Sequence, residues 1–158
     1  KRMVRLKENL ARLHLSADYA EADAATWAPG EAFDAVLLDA PCTATGIIRR
    51  HPDIPHLKRA GDVAQMAETQ ARLLAHATAL LRPGGRLVFA TCSLQPEEGE
   101  AHLPRAAALG LRLDPIGTAE APGLPEAVTS AGTLRTRPDM WAERGGIDGF
   151  FAARFVRA

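Results

Sequence analysis

Two nearly unbroken apolar runs constrain this chain more than any other feature of its sequence. They are Phe33-Asp34-Ala35-Val36-Leu37-Leu38-Asp39 and Arg86-Leu87-Val88-Phe89-Ala90-Thr91. Runs of this length suit strands buried on both faces of a parallel sheet. Between them, Val63, Met66, Leu73, Leu74, Ala77 and Leu81 form an apolar stripe at helical spacing from Asp62 to Leu81, and Pro83-Gly84-Gly85 ends it. Strand, helix and strand in that order predict an α/β domain, with a largely parallel, doubly wound sheet and helices on both faces.

The remaining segments fit that plan. Met3, Leu6, Leu10 and Leu13 recur among basic and polar residues, which predicts an amphipathic helix over 1–15. A short, weak strand is expected over 17–22, a turn at Pro29-Gly30 and a loop over 40–55. A helix over 97–109 comes next, with Glu97, Glu98 and Glu100 as first-turn charges that complement its dipole. A strand over 111–113, a loop over 117–132 and a closing strand over 149–157 complete the order.

Composition narrows the class. At 158 residues, 47% hydrophobic and 24% charged, the chain has the make-up of one soluble globular domain rather than a disordered or fibrous one. It contains no apolar stretch of the roughly 20 residues a membrane helix needs and no signal segment, so a cytoplasmic protein with no membrane partner is expected. A net charge of zero argues against a uniformly basic nucleic-acid wrapper, although a local basic patch is compatible with it. Two cysteines are too few for a disulfide scaffold, and neither they nor His51, His56 and His76 have metal-ligand spacing, so no metal is expected.

In doubly wound sheets, ligands sit beyond the carboxyl ends of the strands. The two best strands here end in Asp39-Ala40-Pro41-Cys42 and Thr91-Cys92-Ser93, so both cysteines fall on one rim. A lone cysteine at a strand end is most often a small buried hydrophobe. Two on one rim, beside Asp39 and ahead of helix starts that lower a thiol's pKa, point to chemistry.

The segment from Asp39 to Asp53, Asp-Ala-Pro-Cys-Thr-Ala-Thr-Gly-Ile-Ile-Arg-Arg-His-Pro-Asp, resembles motif IV of the Nop/Sun family of RNA cytosine-5 methyltransferases. Thr91-Cys-Ser-Leu-Gln-Pro-Glu-Glu-Gly-Glu100 resembles motif VI of that family. Gln70 to Leu74, Leu81 to Ala90, Thr133 to Pro138 and Asp148 to Arg154 also follow its pattern, so the likeness covers nearly the whole chain. The Arg-Arg-His-Pro-Asp extension is most similar to the bacterial Sun/RsmB branch, which acts on small-subunit ribosomal RNA.

The resemblance implies a Rossmann-like fold with S-adenosylmethionine as cofactor and RNA as partner. It implies Cys92 as the nucleophile and Cys42 as the residue that assists product release. DNA cytosine methyltransferases use the cysteine of a Pro-Cys motif, and residues 41–42 alone would point to Cys42. Asp39 is implied beside the cofactor's methionine part, and Asp23 at the adenine amino group. A carboxylate capping loop amides is the alternative for Asp39, and a plain turn aspartate the alternative for Asp23. Arg2 matches a commonly basic family position without an assigned role. Arg49 and Arg50, in a basic cluster with His51, Lys58 and Arg59, are expected to contact RNA phosphates, with Arg135 and Arg137 as a second group.

Two departures from the family pattern stand out. Thr43 occupies a position where many relatives have serine. The family's glycine-rich cofactor loop has no counterpart in this sequence, and its ribose-binding acid would fall before Lys1. Residues 1–158 are therefore expected to be the C-terminal portion of one catalytic domain, truncated at its N-terminus, whose isolated form is inactive. A non-catalytic RNA-binding or assembly module lacking a complete cofactor site is the alternative from another class. The Asp39-Ala-Pro-Cys loop lacks the Pro-Pro-aromatic pattern of amino-group methyltransferases.

Overall fold

The apolar runs form neighbouring strands. The computed structural model describes residues 2–158; Lys1 and the side chain of Arg2 lie outside the described residues. Its strands are β1 (Phe33–Asp39), β2 (Leu81–Thr91), β3 (Leu111–Leu113), β4 (Leu134–Arg135) and β5 (Phe151–Arg157). Its helices are α1 (Arg2–Arg12), α2 (Ile54–Leu57), α3 (Ala60–Ala79) and α4 (His102–Ala108).

The sheet order is β1-β2-β5-β3, with β4 paired to β5. β1 and β2 are parallel, whereas β5 lies antiparallel to β2, β3 and β4. β1, β2 and β3 thus share one direction, but β5 inserts between β2 and β3 the other way round. The sheet is mixed rather than a run of parallel neighbours, because insertion order depends on tertiary pairing that no local pattern encodes.

One face of the sheet carries the core. Leu74 and Ala77 of α3 and Ala106 of α4 pack with Leu87, Phe89, Phe151, Ala153 and Phe155. Strand alternation aims Val36 and Leu38 at this cluster and Leu37 away from it. No described helix covers the opposite face there, and Leu37 is 73% exposed. Burial of β1 on both faces is therefore not what the described residues show. Val4 and Leu6 of α1 are exposed too, as is Leu13 just beyond it, while Met3 and Leu10 are half-buried.

Local chemistry sets the boundaries of the elements. α1 stops at Arg12, where His14 turns left-handed (φ 53°) and the Leu15 amide bonds back to the Leu10 carbonyl at 2.9 Å. No strand forms over 17–22: these residues are exposed, and alanine and aspartate have little strand preference without a partner strand. β2 begins before the proline, since Leu81 pairs with Phe33 and pairing resumes at Ala35 with Arg86. The intervening Pro83-Gly84-Gly85 forms a bulge in which Gly84 takes φ +75°. The Arg157 guanidinium donates to the Thr78, Ala79 and Leu81 carbonyls, satisfying acceptors left over at the end of α3. The expected helix over 97–109 splits into a 3-10 turn, Pro96–Glu98, and α4.

Candidate active site

The register of β1 on β2 builds the site. Asp39 pairs with Ala90, and the Ala40 amide donates to the Ala90 carbonyl at 2.9 Å. The two strand ends therefore emerge side by side. Ala44 adopts a left-handed backbone (φ 61°), an uncommon state for a residue with a Cβ and a frequent mark of functional loops. The chain then turns back so that the Gly46 amide donates to the Cys92 carbonyl at 2.9 Å. The Cys42 and Cys92 sulfurs end 3.4 Å apart. Both thiols are half-buried and line a cavity of about 1020 Å³, which Asp23 and Asp39 also line. Thr69 and Arg72 of α3 also line it; Arg72 falls in the Gln70 to Leu74 segment that follows the family pattern, and Thr69 lies just before it.

The two thiols do not titrate alike. A hydrogen bond from Cys42 lowers the pKa of Cys92 to about 7, against the opposing effects of burial and of the Asp39 and Glu98 charges. The same bond, followed by burial, pushes Cys42 up. At neutral pH, Cys92 carries much of the thiolate and Cys42 keeps its proton. A thiolate with a neighbouring S–H donor is the arrangement nucleophilic addition and a later elimination require.

Asp23 sits in a turn in which one carboxylate oxygen accepts the Ala25 amide at 2.9 Å and its carbonyl accepts the Thr26 and Trp27 amides. The turn is tied to α3 by His76, whose Nε2 donates to the Trp27 carbonyl at 2.7 Å. Asp23 thus has the turn role its alternative reading required and faces the cavity as well. The Asp39 carboxylate accepts no hydrogen bond among the described residues, so it caps no loop amide there and remains available to a ligand.

Glu98 departs most from its expected role. It is fully buried (0% exposed) rather than a solvated first-turn charge. Its carboxylate accepts hydrogen bonds from Thr43, Ser93 and Gln70. The signal available in sequence was its position inside the second cysteine motif, six residues after Cys92.

The basic residues divide into two groups. Arg50 makes a two-pronged pair with Asp148, at 2.8 and 2.6 Å, and Arg49 reaches the same carboxylate at 3.5 Å. Arg50 thereby holds the Asp148 carboxyl below its usual range. Arg135 is nearly buried, bonded to Glu100 and to the Ser93 carbonyl, and stacked on Phe151; Arg137 pairs with Asp139. Lys58 and Arg59 instead line a second cavity, of about 440 Å³, with Thr45 and Gln95. Among the described residues, no group of three or more His, Cys, Asp or Glu is placed to hold a metal ion.

Comparison with known proteins places this geometry in a lineage. Ribosomal RNA small subunit methyltransferase B of Shewanella oneidensis is 40% identical over 165 residues, covering 100% of this chain and 36% of the relative. The protein of the same name from Pseudomonas syringae pv. tomato is 44% identical, with 99% and 35% covered. The chain thus spans about a third of the length of these curated relatives. Among solved structures, NSun6 from Pyrococcus horikoshii with SFG superposes with a TM-score of 0.80 at 26% identity, covering 99% of this chain and 38% of that one. A methyltransferase homolog protein from the same organism gives 0.75 at 28% identity, with 99% and 50% covered. SFG is an analogue of S-adenosylmethionine, the cofactor of this class of methyltransferases. The family model of the 16S rRNA methyltransferase RsmB/F matches residues 1–156, and the chain belongs to that family.

Proposed function

We propose that this chain carries the cysteine chemistry of a methyl transfer from S-adenosylmethionine to carbon 5 of a cytosine in small-subunit ribosomal RNA. The single observation that carries the reading is the 3.4 Å pair of thiols opening onto a cavity lined by two carboxylates. Carbon 5 of cytosine is a poor nucleophile until a thiolate adds to carbon 6, which makes the ring an enamine. Cys92 is the thiolate that adds, on the likeness of residues 91–100 to the family's motif VI, and the hydrogen bond from Cys42 favours its thiolate in the same sense. When bound, the cofactor supplies an electrophilic methyl group. After transfer, the proton on carbon 5 passes to solvent, its electron pair re-forms the double bond between carbons 5 and 6, and the bond from carbon 6 to Cys92 breaks to return the thiolate, a release that Cys42 assists.

The cavity fits the cofactor in size and in charge. Pockets for small ligands run from about 300 to 1,000 Å³, and carboxylates suit a molecule bearing an amino group on its adenine, an ammonium and a sulfonium. Asp39 would hold the methionine part and Asp23 the adenine amino group. Arg49 and Arg50, with Lys58 and Arg59, would meet RNA phosphates while the target base is turned out of its stack. The chain acts here as the C-terminal portion of a catalytic domain.

The test is a chimera that joins the preceding segment of the Shewanella oneidensis relative to this chain, assayed for methyl transfer to small-subunit ribosomal RNA. Cys92→Ala should abolish transfer, and Cys42→Ala should accumulate a protein–RNA adduct. Adduct trapping by Cys92→Ala instead would reverse the two roles. A chimera that binds RNA but neither binds the cofactor nor transfers methyl would favour the non-catalytic RNA-binding module.

A further inference from the structure

Both cysteines are bracketed by neighbours that reach one residue. After Cys42, Thr43 donates its amide at 2.9 Å and its hydroxyl at 2.5 Å to the Glu98 carboxylate. Before Cys42, the Pro41 carbonyl accepts from Gln70 Nε2 at 2.8 Å, and the same Gln70 nitrogen donates to Glu98 Oε1 at 3.1 Å. Before Cys92, the Thr91 hydroxyl donates to the Glu98 main-chain carbonyl at 3.0 Å. After it, the Ser93 hydroxyl donates to Glu98 Oε2 at 2.5 Å. Glu98 hydrogen-bonds neither thiol among the described residues, yet residues on both sides of both thiols are fastened to it.

Energetics make this arrangement costly unless it serves the site. A buried carboxylate without a cation is expensive, and a well-packed apolar residue commonly replaces one without loss of stability. Among the described residues no arginine or lysine forms an ion pair with Glu98; neutral donors alone satisfy it. Gln70 is itself oriented by His102, whose Nε2 donates to Gln70 Oε1 at 2.9 Å, so the amide cannot flip without losing partners. Such a hub fixes both cysteine loops against each other and against α3.

We propose that Glu98 is a positioning residue that sets the separation of the Cys42 and Cys92 thiols through the residues flanking them. Its catalytic meaning rests on the function proposed above; its geometric content does not. Removing the carboxylate has two opposed consequences for Cys92. The Glu98 charge disfavours the Cys92 thiolate, so loss of charge alone lowers the pKa. The Cys42 hydrogen bond favours that thiolate and is the larger influence, so letting the thiols drift apart raises it.

The experiment follows iodoacetamide alkylation of Cys92 against pH in the 158-residue chain, read by peptide mass spectrometry. Glu98→Gln should move the midpoint upward from about 7 toward the ordinary thiol value of 9. Diamide-driven coupling of the two thiols should slow about tenfold, as expected for reacting atoms displaced by a fraction of an ångström. Exposed Glu97→Gln should change neither reading. A Glu98→Gln midpoint that falls or stays put, in a protein with native circular dichroism, overturns the proposal. Thr43→Val and Ser93→Ala each remove one hydroxyl arm and leave the charge; both should raise the midpoint, and they decide the matter if Glu98→Gln does not fold. Neither cofactor nor RNA enters the assay, so a chimera that fails to methylate sinks the functional reading alone. An unmoved midpoint in an active protein sinks this one alone.

Discussion

Gly46 and Gly149 meet backbone to backbone: the Gly149 amide donates to the Gly46 carbonyl at 2.7 Å, and a Cβ on Gly46 would collide with the Gly149 main-chain oxygen. The contact joins the loop after Cys42 to the loop that leads into β5. It leaves no room for a side chain, and the atom in the way is main chain that cannot swing aside. Gly46→Ala should therefore cost about 2 kcal/mol by overpacking and lower Tm by about 4–8 °C in thermal unfolding. Gly61, within α3, has open space around it and an ordinary φ. Gly61→Ala should instead stabilise the chain by about 0.5 kcal/mol through helix propensity.

Cys42→Ala tests the shared proton. Cys92 then loses the hydrogen bond that lowers its pKa and keeps the burial that raises it. Its alkylation midpoint should climb above the value of about 7 in the intact pair, and its rate at neutral pH should fall. A midpoint unchanged by the substitution would show that the neighbouring thiol does not set the reactivity of Cys92.

His102 predicts an acid-sensitive fold. Burial first, and then the Arg105 charge, lower its pKa to about 4, and it is 1% exposed. The folded state thus binds this proton less readily than the unfolded chain, whose histidine titrates at 6.5. Stability should be full above about pH 6.5, fall as pH drops toward 4 and level off below that, for this one group. The loss should approach about 3 kcal/mol at one pKa unit per 1.36 kcal/mol. Urea unfolding across that range, with His102→Gln as the variant that flattens the slope, checks it.

The ion pairs rank the basic residues as RNA contacts. Arg50 already has its partner in Asp148, whereas Lys58 and Arg59 form no ion pair among the described residues and face a cavity next to Thr45. Replacing Lys58 and Arg59 by alanine should weaken RNA binding more than replacing Arg50. It should also flatten the salt dependence by about 0.7–0.9 in log–log slope for each phosphate left without its cation. Filter binding at two salt concentrations separates the cases, and Asp148→Asn, which frees two guanidiniums, should tighten binding.

What could be read in advance, and what could not, follows from the range of each interaction. β1 spans the residues its apolar run announces, and the rim shared by Cys42 and Cys92 follows from two strand ends. Asp23 and Asp39, 16 positions apart in sequence, line one cavity. The insertion of β5 between β2 and β3 has no local mark, because a strand's partner is chosen by the whole sheet. The exposure of Leu37 escaped for a related reason: an unbroken apolar run does not say which of its faces is covered. Glu98 looks like any acid near a helix start until Thr43 and Ser93, brought from two loops, supply the donors that permit its burial. Arg135 resembles a surface cation until Phe151 and Glu100 enclose it.

The sulfur contact draws on parts of the chain fifty positions apart. A polypeptide that has not yet closed its sheet therefore holds two ordinary sulfhydryls and no activated one. The lowered pKa of Cys92 is therefore a property of the closed sheet, which neither cysteine loop possesses on its own.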